Sequence, residues 1–201
     1  VMNVTGVILA GGKSRRIGED KRFLLVGEIT LLDRAVSVMG KLFSEVLVVI
    51  AQDSPPLAVT GCTVSRDLIA NCGSLGGLYT GLARATNERI FVVACDMPFL
   101  NSDMIRWFVS RDPDADIVMA KLPDGMQPLH AVYGKRALPV LERMATSHEL
   151  KIRNITSDSS LHVTAVLPAE WGELDPHARS FQNVNTPADL EAARASLRTP
   201  H

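Results

Sequence analysis

The chain has 201 residues, of which 46% are hydrophobic and 21% are charged, and its formal net charge is −1 at neutral pH. This composition is typical of a globular protein with one hydrophobic core, so we predict a single domain spanning residues 1–201. A net charge near zero argues against binding to nucleic acid or to a membrane surface, because both need a strong positive field.

Apolar runs alternate with amphipathic segments along the first half of the chain. This pattern predicts helices at 31–42 and 75–85 and strands at 6–10, 45–50, 62–65 and 90–94. Thr30 is the predicted N-cap of the first helix, and Asp33 follows it in the capping-box position. The alternation is typical of βαβ units, and it predicts a Rossmann-like three-layer α/β/α fold with a mostly parallel central sheet.

The second half of the chain is patterned less regularly. It predicts strands at 116–120 and 129–133 and helices at 102–109, 135–145 and 148–157. The segment Thr186-Pro187-Ala188-Asp189 predicts the start of a last helix. Thr186 would cap this helix, Pro187 would be its first residue, and Asp189 would lie near the positive end of the helix dipole.

The first predicted strand leads into a loop rich in glycine and in positive charge. Gly11 and Gly12 allow backbone N–H groups to approach a ligand closely, and four cations follow that could offset a polyphosphate: Lys13, Arg15, Arg16 and Lys21. A binding site for a nucleoside triphosphate is therefore one interpretation of the loop. The alternative is a solvated basic turn after a strand, because short glycine motifs often have no function.

Two common phosphate-binding motifs do not fit this loop. Gly12-Lys13-Ser14 resembles the end of a Walker A motif, but five residues rather than four separate Gly12 from Gly6, and they are patterned as a strand. The G-x-G-x-x-G motif of dinucleotide-binding folds is absent as well. The sequence thus argues against a P-loop NTPase and against a dinucleotide-binding site.

Acidic residues follow two of the predicted strands. Asp96 comes directly after the strand at 90–94, and a carboxylate there could hold Mg²⁺, which needs few protein ligands when phosphates supply the rest. Asp67 follows the strand at 62–65, where it could contact a nucleotide or pair with Arg66 at the surface. Either aspartate could instead stabilise a turn. Since ligands bind at the carboxyl ends of parallel strands, these residues and the glycine loop should share one edge.

Other signals in the chain exclude several classes of site. The three cysteines form no C-x-x-C pair, and an odd number favours free thiols in a reducing cytoplasm. His148-Glu149 lacks the second histidine of the H-E-x-x-H zinc motif. No signal peptide and no apolar run of membrane-spanning length are evident. The expected location is therefore the cytoplasm.

Five segments, in order, match a known pattern: the loop from Leu9 to Lys21, Gly73–Gly77, Cys95–Pro98, Gln127–Tyr133 and Asn183–Pro187. Together they resemble the molybdenum cofactor guanylyltransferase family, which is MobA-like. It covers nearly the whole chain. It implies a nucleotidyltransferase fold and transfer of GMP from GTP to the terminal phosphate of Mo-molybdopterin, with Mg²⁺ as the cofactor and release of pyrophosphate. Molybdoenzymes or cofactor-delivery proteins would be the partners.

The resemblance also implies roles for individual residues. Lys21, Arg16 and Asp96 would be catalytic, Asp96 would hold the metal, and Asn183 and Asn185 would bind the molybdopterin substrate. The nucleotide would be bound by Leu9, Ala10, Gly11, Gly12, Lys21, Asp67 and Asp96.

The chain departs from the family pattern in places. Ile17 replaces a methionine, and Ser74 and Gly76 replace a proline and an alanine. Ile50-Ala51-Gln52 stands where the family has a base-contacting asparagine. The alternatives are therefore a related transferase that uses CTP or acts on a sugar or alcohol phosphate, and a non-catalytic nucleotide-binding protein that delivers the cofactor.

Overall fold

The computed structural model describes residues 2–11 and 20–198 of the chain. The helices are α1 Leu31–Leu42, α2 Gly73–Arg84, α3 Ser102–Arg111, α4 Leu138–Thr146, α5 Pro168–Trp171 and α6 Pro187–Arg198. The strands are β1 Thr5–Leu9, β2 Leu25–Val26, β3 Ile29–Thr30, β4 Val46–Ile50, β5 Thr63–Arg66, β6 Arg89–Ala94, β7 Ile117–Leu122, β8 Gly125–Gly134 and β9 Val163–Val166.

The centre of the fold is a seven-stranded sheet with the order β5-β4-β1-β6-β8-β7-β9. Its strands run parallel except β8, which pairs antiparallel with both β6 and β7. Every residue of β1 and β4 is buried, which explains why their sequences are continuous apolar runs rather than alternating ones. The mostly parallel α/β fold predicted from the sequence is confirmed.

Helices cover both faces of the sheet and produce two apolar cores. One core packs α1 and α3 against the sheet through residues such as Met39 and Phe108. The other packs α2 and α4 against the opposite face through residues such as Leu78 and Leu141. The three-layer architecture therefore follows from the apolar stripe that each helix presents to the sheet.

The amino- and carboxyl-terminal parts of the chain meet in a third apolar cluster. Leu24, directly before β2, and Val26 of β2 belong to this cluster, and α6 contributes Leu190 and Ala193. Thr186 accepts a hydrogen bond from the Asp189 N–H at 3.2 Å, and Asp189 accepts one from the Thr186 N–H at 2.8 Å. This reciprocal capping box confirms the predicted start of α6.

The predicted helix at 148–157 is wrong. Helix α4 ends at Thr146, and His148 then adopts a left-handed conformation with φ of 55°. The N–H of Glu149 donates to the carbonyl of Met144, which is the 6→1 hydrogen bond of a Schellman motif at the carboxyl end of a helix. Only a 3₁₀ turn at Ile152–Ser157 follows. The helix predicted at 135–145 likewise begins with a 3₁₀ turn, Lys135–Ala137.

Two further differences concern strands. The sequence pattern missed β9, a short and half-exposed strand that extends the sheet beside β7. It also predicted only the second half of β8, whose register against β7 is interrupted between Val118 and Ala120. In the described part of the chain, no helix is both long and apolar enough to cross a lipid bilayer.

Candidate active site

The sheet has a crevice where the direction of its winding changes. The chain leaves β1 for β4 and β5 on one side and then returns to β6 on the other side. The ends of β1 and β6 therefore diverge into loops that run in opposite directions, and such a switch point is where α/β sheets bind ligands. A cleft of about 290 Å³ lies here, lined by Leu9, Ala10, Gly11, Asp20, Lys21, Arg22, Ser74, Ala94, Cys95, Asp96, Leu129, Asn183 and Asn185.

Three predicted site residues meet through polar contacts in this cleft. The Nζ atom of Lys21 lies 3.1 Å from Oδ2 of Asp96 and donates to Oδ1 of Asn185 at 2.8 Å. The side chains of Lys21 and Asp96 are only 20% and 18% exposed. A partly buried ammonium group held by two oxygens is a pre-positioned cation, and such a cation can stabilise the negative charge of a phosphate.

Asp96 lies in a turn that directs it into the cleft. The Met97 N–H donates to the Ala94 carbonyl at 3.3 Å, and the Asp96 carbonyl accepts from the Val184 N–H at 2.9 Å. The Oδ1 atom of Asp96 is buried and has no hydrogen-bond partner among the described residues. A buried carboxylate oxygen without a donor is costly unless a ligand satisfies it, so this atom fits a divalent cation.

Gly11 packs closely against the start of the loop after β4. A Cβ atom at this position would lie 3.1 Å from the backbone nitrogen of Ala51. A side chain would thus push the loops after β1 and β4 apart. Leu9, Ala10 and Gly11, which the sequence predicts to contact a nucleotide, all line the cleft. Four other residues of the predicted phosphate loop lie outside the described residues: Gly12, Lys13, Arg15 and Arg16.

Asp67 lies at the carboxyl end of β5, on the same side of the sheet strands as the cleft, but it does not line the cleft. Strands β4 and β1 separate β5 from β6. Burial raises the pKa of its carboxyl to about 6, and its Oδ1 atom has no hydrogen-bond partner among the described residues. Arg66 does not supply one: its Nη1 atom donates to the backbone carbonyls of Gln52 and Ser54, each at 2.7 Å. Asp67 therefore retains an acceptor for a ligand.

Close packing explains why α2 contains glycines, both near its start and at Gly81. A Cβ at Gly76 would lie 2.9 Å from the Ile69 carbonyl oxygen, and one at Gly81 would lie 2.5 Å from a methyl group of Val7. At Gly77 the nearest atoms would be a methyl carbon of Leu9 at 3.2 Å and Oδ1 of Asp67 at 3.6 Å. These glycines let α2 approach both the sheet and the Asp67 carboxylate closely.

The two predicted substrate-binding asparagines both reach the cleft from the loop before α6. Asn185 contacts Lys21 as described, and its backbone N–H donates to Asp189 at 2.9 Å. Since Thr186 is the cap of α6, neither asparagine is needed for that purpose. Their side chains are thus available to the cleft.

Six residues that line the cleft were not predicted as site residues: Asp20, Arg22, Ser74, Ala94, Cys95 and Leu129. Arg22 is only 7% exposed and is paired with Asp20. Its position directly after Lys21, in a loop already read as phosphate-binding, was a signal that could have identified it. A larger and shallower groove of about 580 Å³ lies between the β7–β8 turn and residues 168–178, and no predicted site residue lines it.

Comparisons with known proteins agree with this geometry. The sequence model of the MobA-like NTP transferase domain matches residues 6–163. The probable molybdenum cofactor guanylyltransferase of Pelotomaculum thermopropionicum is 34% identical over 96% of this chain and 93% of its own length.

Solved structures share the fold. Molybdopterin-guanine dinucleotide biosynthesis protein A from Archaeoglobus fulgidus superposes with a TM-score of 0.82 at 24% identity, over 97% of this chain and 99% of its own. Rv0371c from Mycobacterium tuberculosis, solved with manganese, superposes with a TM-score of 0.63 at 19% identity, over 82% of this chain and 87% of its own.

Proposed function

The chain belongs to the MobA-like NTP transferase family, and from that premise we propose that it is a molybdenum cofactor guanylyltransferase. It would transfer GMP from GTP to the terminal phosphate of Mo-molybdopterin. An oxygen of that phosphate forms a bond to the α-phosphorus of GTP, the bond from the α-phosphorus to the bridging oxygen of the β-phosphate breaks, and pyrophosphate leaves. No covalent enzyme intermediate is needed.

The observation that carries this proposal is the position of Lys21 between Asp96 and Asn185. Its ammonium group is fixed by oxygens 3.1 Å and 2.8 Å away, so it needs little reorganisation when phosphate charge develops. Phosphoryl transfer depends mainly on alignment of the reacting groups and on charge neutralisation. We assign Lys21 and Arg16 to the transferred and leaving phosphates. The backbone of residues 9–12 would contact the nucleotide.

We propose that Asp96 holds a divalent cation, and that this cation is Mg²⁺. The buried Oδ1 atom, which has no donor among the described residues, supports this role. When bound, Mg²⁺ would neutralise phosphate charge and fix the oxygens around the reacting phosphorus. Asp96 would bind the cation through Oδ1, while the ammonium group of Lys21 would offset the negative charge at Oδ2 of the same carboxylate.

We assign the two sides of the cleft to the two substrates. Asp67 and the start of α2 lie toward β5, and we place the nucleoside of GTP there. Asn183 and Asn185 lie on the loop before α6, and we place the phosphate of Mo-molybdopterin against them.

The test is pyrophosphate release measured with each of the four nucleoside triphosphates, with and without molybdopterin. We expect release only when GTP and molybdopterin are both present, with a guanine dinucleotide identified by mass spectrometry. Release with CTP, or with a sugar phosphate in place of molybdopterin, would assign the chain to another transferase. Binding of GTP without any release would instead indicate a cofactor-delivery protein.

We further propose that residues 1–201 act as a single domain in the cytoplasm. The two cores share one sheet, and the last helix packs on the hairpin next to the phosphate loop, so division into separate units would split the cleft. Cys62, Cys72 and Cys95 are all free, which fits a reducing compartment. Molybdoenzymes or delivery proteins would then take the product.

A further inference from the structure

Arg22 is a buried cation in the wall of the cleft. It lies in the 3₁₀ turn Lys21–Phe23, directly after Lys21, and only 7% of the residue is exposed. Its Nε atom lies 2.9 Å from both carboxylate oxygens of Asp20, and its Nη2 atom donates to Oδ2 of the same residue. Asp20 therefore anchors one edge of the guanidinium group.

The other edge of the guanidinium group is unsatisfied. The Nη1 atom of Arg22 is buried and has no hydrogen-bond partner among the described residues. A buried charged donor without an acceptor is strongly unfavourable, because its hydration is lost and nothing replaces it. The pairing with Asp20 raises the pKa of Arg22, so the group stays cationic and cannot escape this cost by losing its proton.

The surroundings of Arg22 indicate which ligand would satisfy it. It lines the same cleft as Lys21 and Asp96, and a guanidinium group forms its strongest hydrogen bonds with carboxylate and phosphate oxygens. Phe23, whose ring lies 5.4 Å from the guanidinium carbon, offers a cation–π contact but no acceptor oxygen. The lack of an acceptor for Nη1 therefore indicates that an anion entering the cleft would bind to Arg22.

We propose that Arg22 binds a phosphate group in the cleft, as a second fixed cation beside Lys21. The identity of the ligand rests on the proposed function, in which two phosphate sources meet: the triphosphate of the nucleotide and the terminal phosphate of the acceptor. Asp20 acts here as a positioning residue, because it holds the guanidinium plane through Nε and Nη2. Lysine could not replace arginine fully, since one ammonium group cannot be anchored on one edge and bind a phosphate on the other.

The inference is tested by anion binding, which does not require turnover. Isothermal titration gives the dissociation constants of inorganic pyrophosphate and of GTP with Mg²⁺ for the wild type and for Arg22→Met, Arg22→Lys and Arg106→Met. Arg106 is the matched control, because its side chain is 56% exposed on α3 and pairs with Asp103 away from the cleft. Melting temperatures of all four proteins report on folding.

We expect Arg22→Met to weaken pyrophosphate and GTP binding at least tenfold, because methionine has neither the charge nor a donor. Arg22→Lys should weaken binding less, because lysine keeps the charge but not the two hydrogen-bonding edges, and Arg106→Met should leave binding unchanged. If Arg22→Met does not fold, Arg22→Lys decides alone. Unchanged affinity for both ligands, together with an unchanged KM for molybdopterin, would overturn the inference and make Arg22 purely structural.

The two phosphate sources are separated by the pattern of loss. A loss shared by pyrophosphate and GTP places Arg22 on the nucleotide phosphates, whereas a raised KM for molybdopterin with unchanged GTP affinity places it on the acceptor. A wild type that binds GTP and pyrophosphate but forms no guanine dinucleotide would contradict the proposed function and leave the Arg22 comparison intact. A wild type that binds neither anion would contradict the Arg22 inference itself.

Discussion

Lys21 and Asp96 are 75 positions apart in the chain, yet their side chains lie within 3.1 Å of each other. The pair joins the loop after β1 to the turn after β6, which are the two walls of the switch-point crevice. Asn185 adds a third segment to the same contact. The cleft is thus assembled from three distant parts of the chain around one ammonium group.

Replacement of Asp96 by asparagine should lower turnover by about 10²–10³-fold, because a neutral amide stabilises neither a divalent cation nor the developing phosphate charge. The melting temperature should change little, since Asn has nearly the same shape and Asp96 is partly exposed. The measurements are kcat over a range of Mg²⁺ concentrations and a thermal unfolding curve. Parallel loss of stability and of activity would count against a metal-binding role.

Replacement of Lys21 by alanine should reduce transfer by about 10²-fold, which is the effect of removing one pre-positioned charge. Lys135→Ala is the control, because Lys135 pairs loosely with Glu88, at 4.0 Å, and does not line the cleft. Steady-state kinetics with GTP as the varied substrate measures both variants. Equal kinetics of Lys21→Ala and the wild type would refute the assigned role.

Asp67 should make the protein less stable as the pH rises from about 4 to about 6. Burial raises its pKa in the folded protein to about 6, whereas an aspartate in the unfolded chain has its ordinary pKa of 3.8. Between these values the folded state binds more protons than the unfolded state, so the free energy of unfolding falls with increasing pH. Urea unfolding from pH 4 to pH 7 should show this slope in the wild type and a smaller one in Asp67→Asn.

His130 should contribute the opposite slope over an overlapping range. It is fully buried among aromatic rings, with Phe91, Phe108 and Phe181 centred 4.9, 5.1 and 4.9 Å away, and neither ring nitrogen has a partner among the described residues. Burial lowers its pKa from 6.5 to about 4. The unfolded state then binds more protons between these values, so stability is lost as the pH falls from 6.5 to 4.

His130→Gln measures this contribution, because glutamine has no charge to acquire. In urea titrations, the difference in unfolding free energy between the variant and the wild type should change between pH 6.5 and pH 4 in favour of the variant. The Asp67→Asn protein should show the opposite change over the overlapping range, in favour of the wild type as the pH falls from about 6 to about 4. A constant difference between His130→Gln and the wild type across all pH values would contradict the prediction.

Gly81→Ala should destabilise the protein by about 1–3 kcal/mol, although alanine favours helices, because its methyl group would collide with Val7 at 2.5 Å. Gly40 on α1 is the matched control, since no atom lies within 4 Å of a Cβ placed there. Gly40→Ala should stabilise by ~0.5–1 kcal/mol. Chemical denaturation of both variants decides; stabilisation by Gly81→Ala would show that α2 can move away from the sheet.

Local chemistry made parts of the fold predictable from sequence. The bounds of α1 follow from the cap at Thr30, whose hydroxyl accepts from the Asp33 N–H at 3.0 Å. The buried strands were visible as apolar runs, and Asp96 was identified because it directly follows one of them. The left-handed residue that ends α4 was missed because a positive φ is uncommon for any residue other than glycine, although histidine is enriched among the exceptions.

Contacts between distant segments were beyond the reach of sequence patterns. Nothing in the spacing of Asn185 indicates that it would meet Lys21; its role was expected only from the family resemblance. β9 escaped detection because Thr164 and its neighbours are half-exposed at the sheet edge and lack a clear alternation. Arg22 was overlooked because arginine is mostly exposed in proteins, and its burial depends on a partner two residues away.

The hydrogen bond from the Val184 N–H to the Asp96 carbonyl has a consequence for biosynthesis. Because Asp96 is translated well before Val184 and Asn185, a nascent chain can fold its first strands before the cleft is complete. The cleft is completed only after the segment up to α6 has been translated and this helix has docked beside the amino-terminal hairpin. A polypeptide that stops before Val184 would lack both this hydrogen bond and the contact of Asn185 with Lys21.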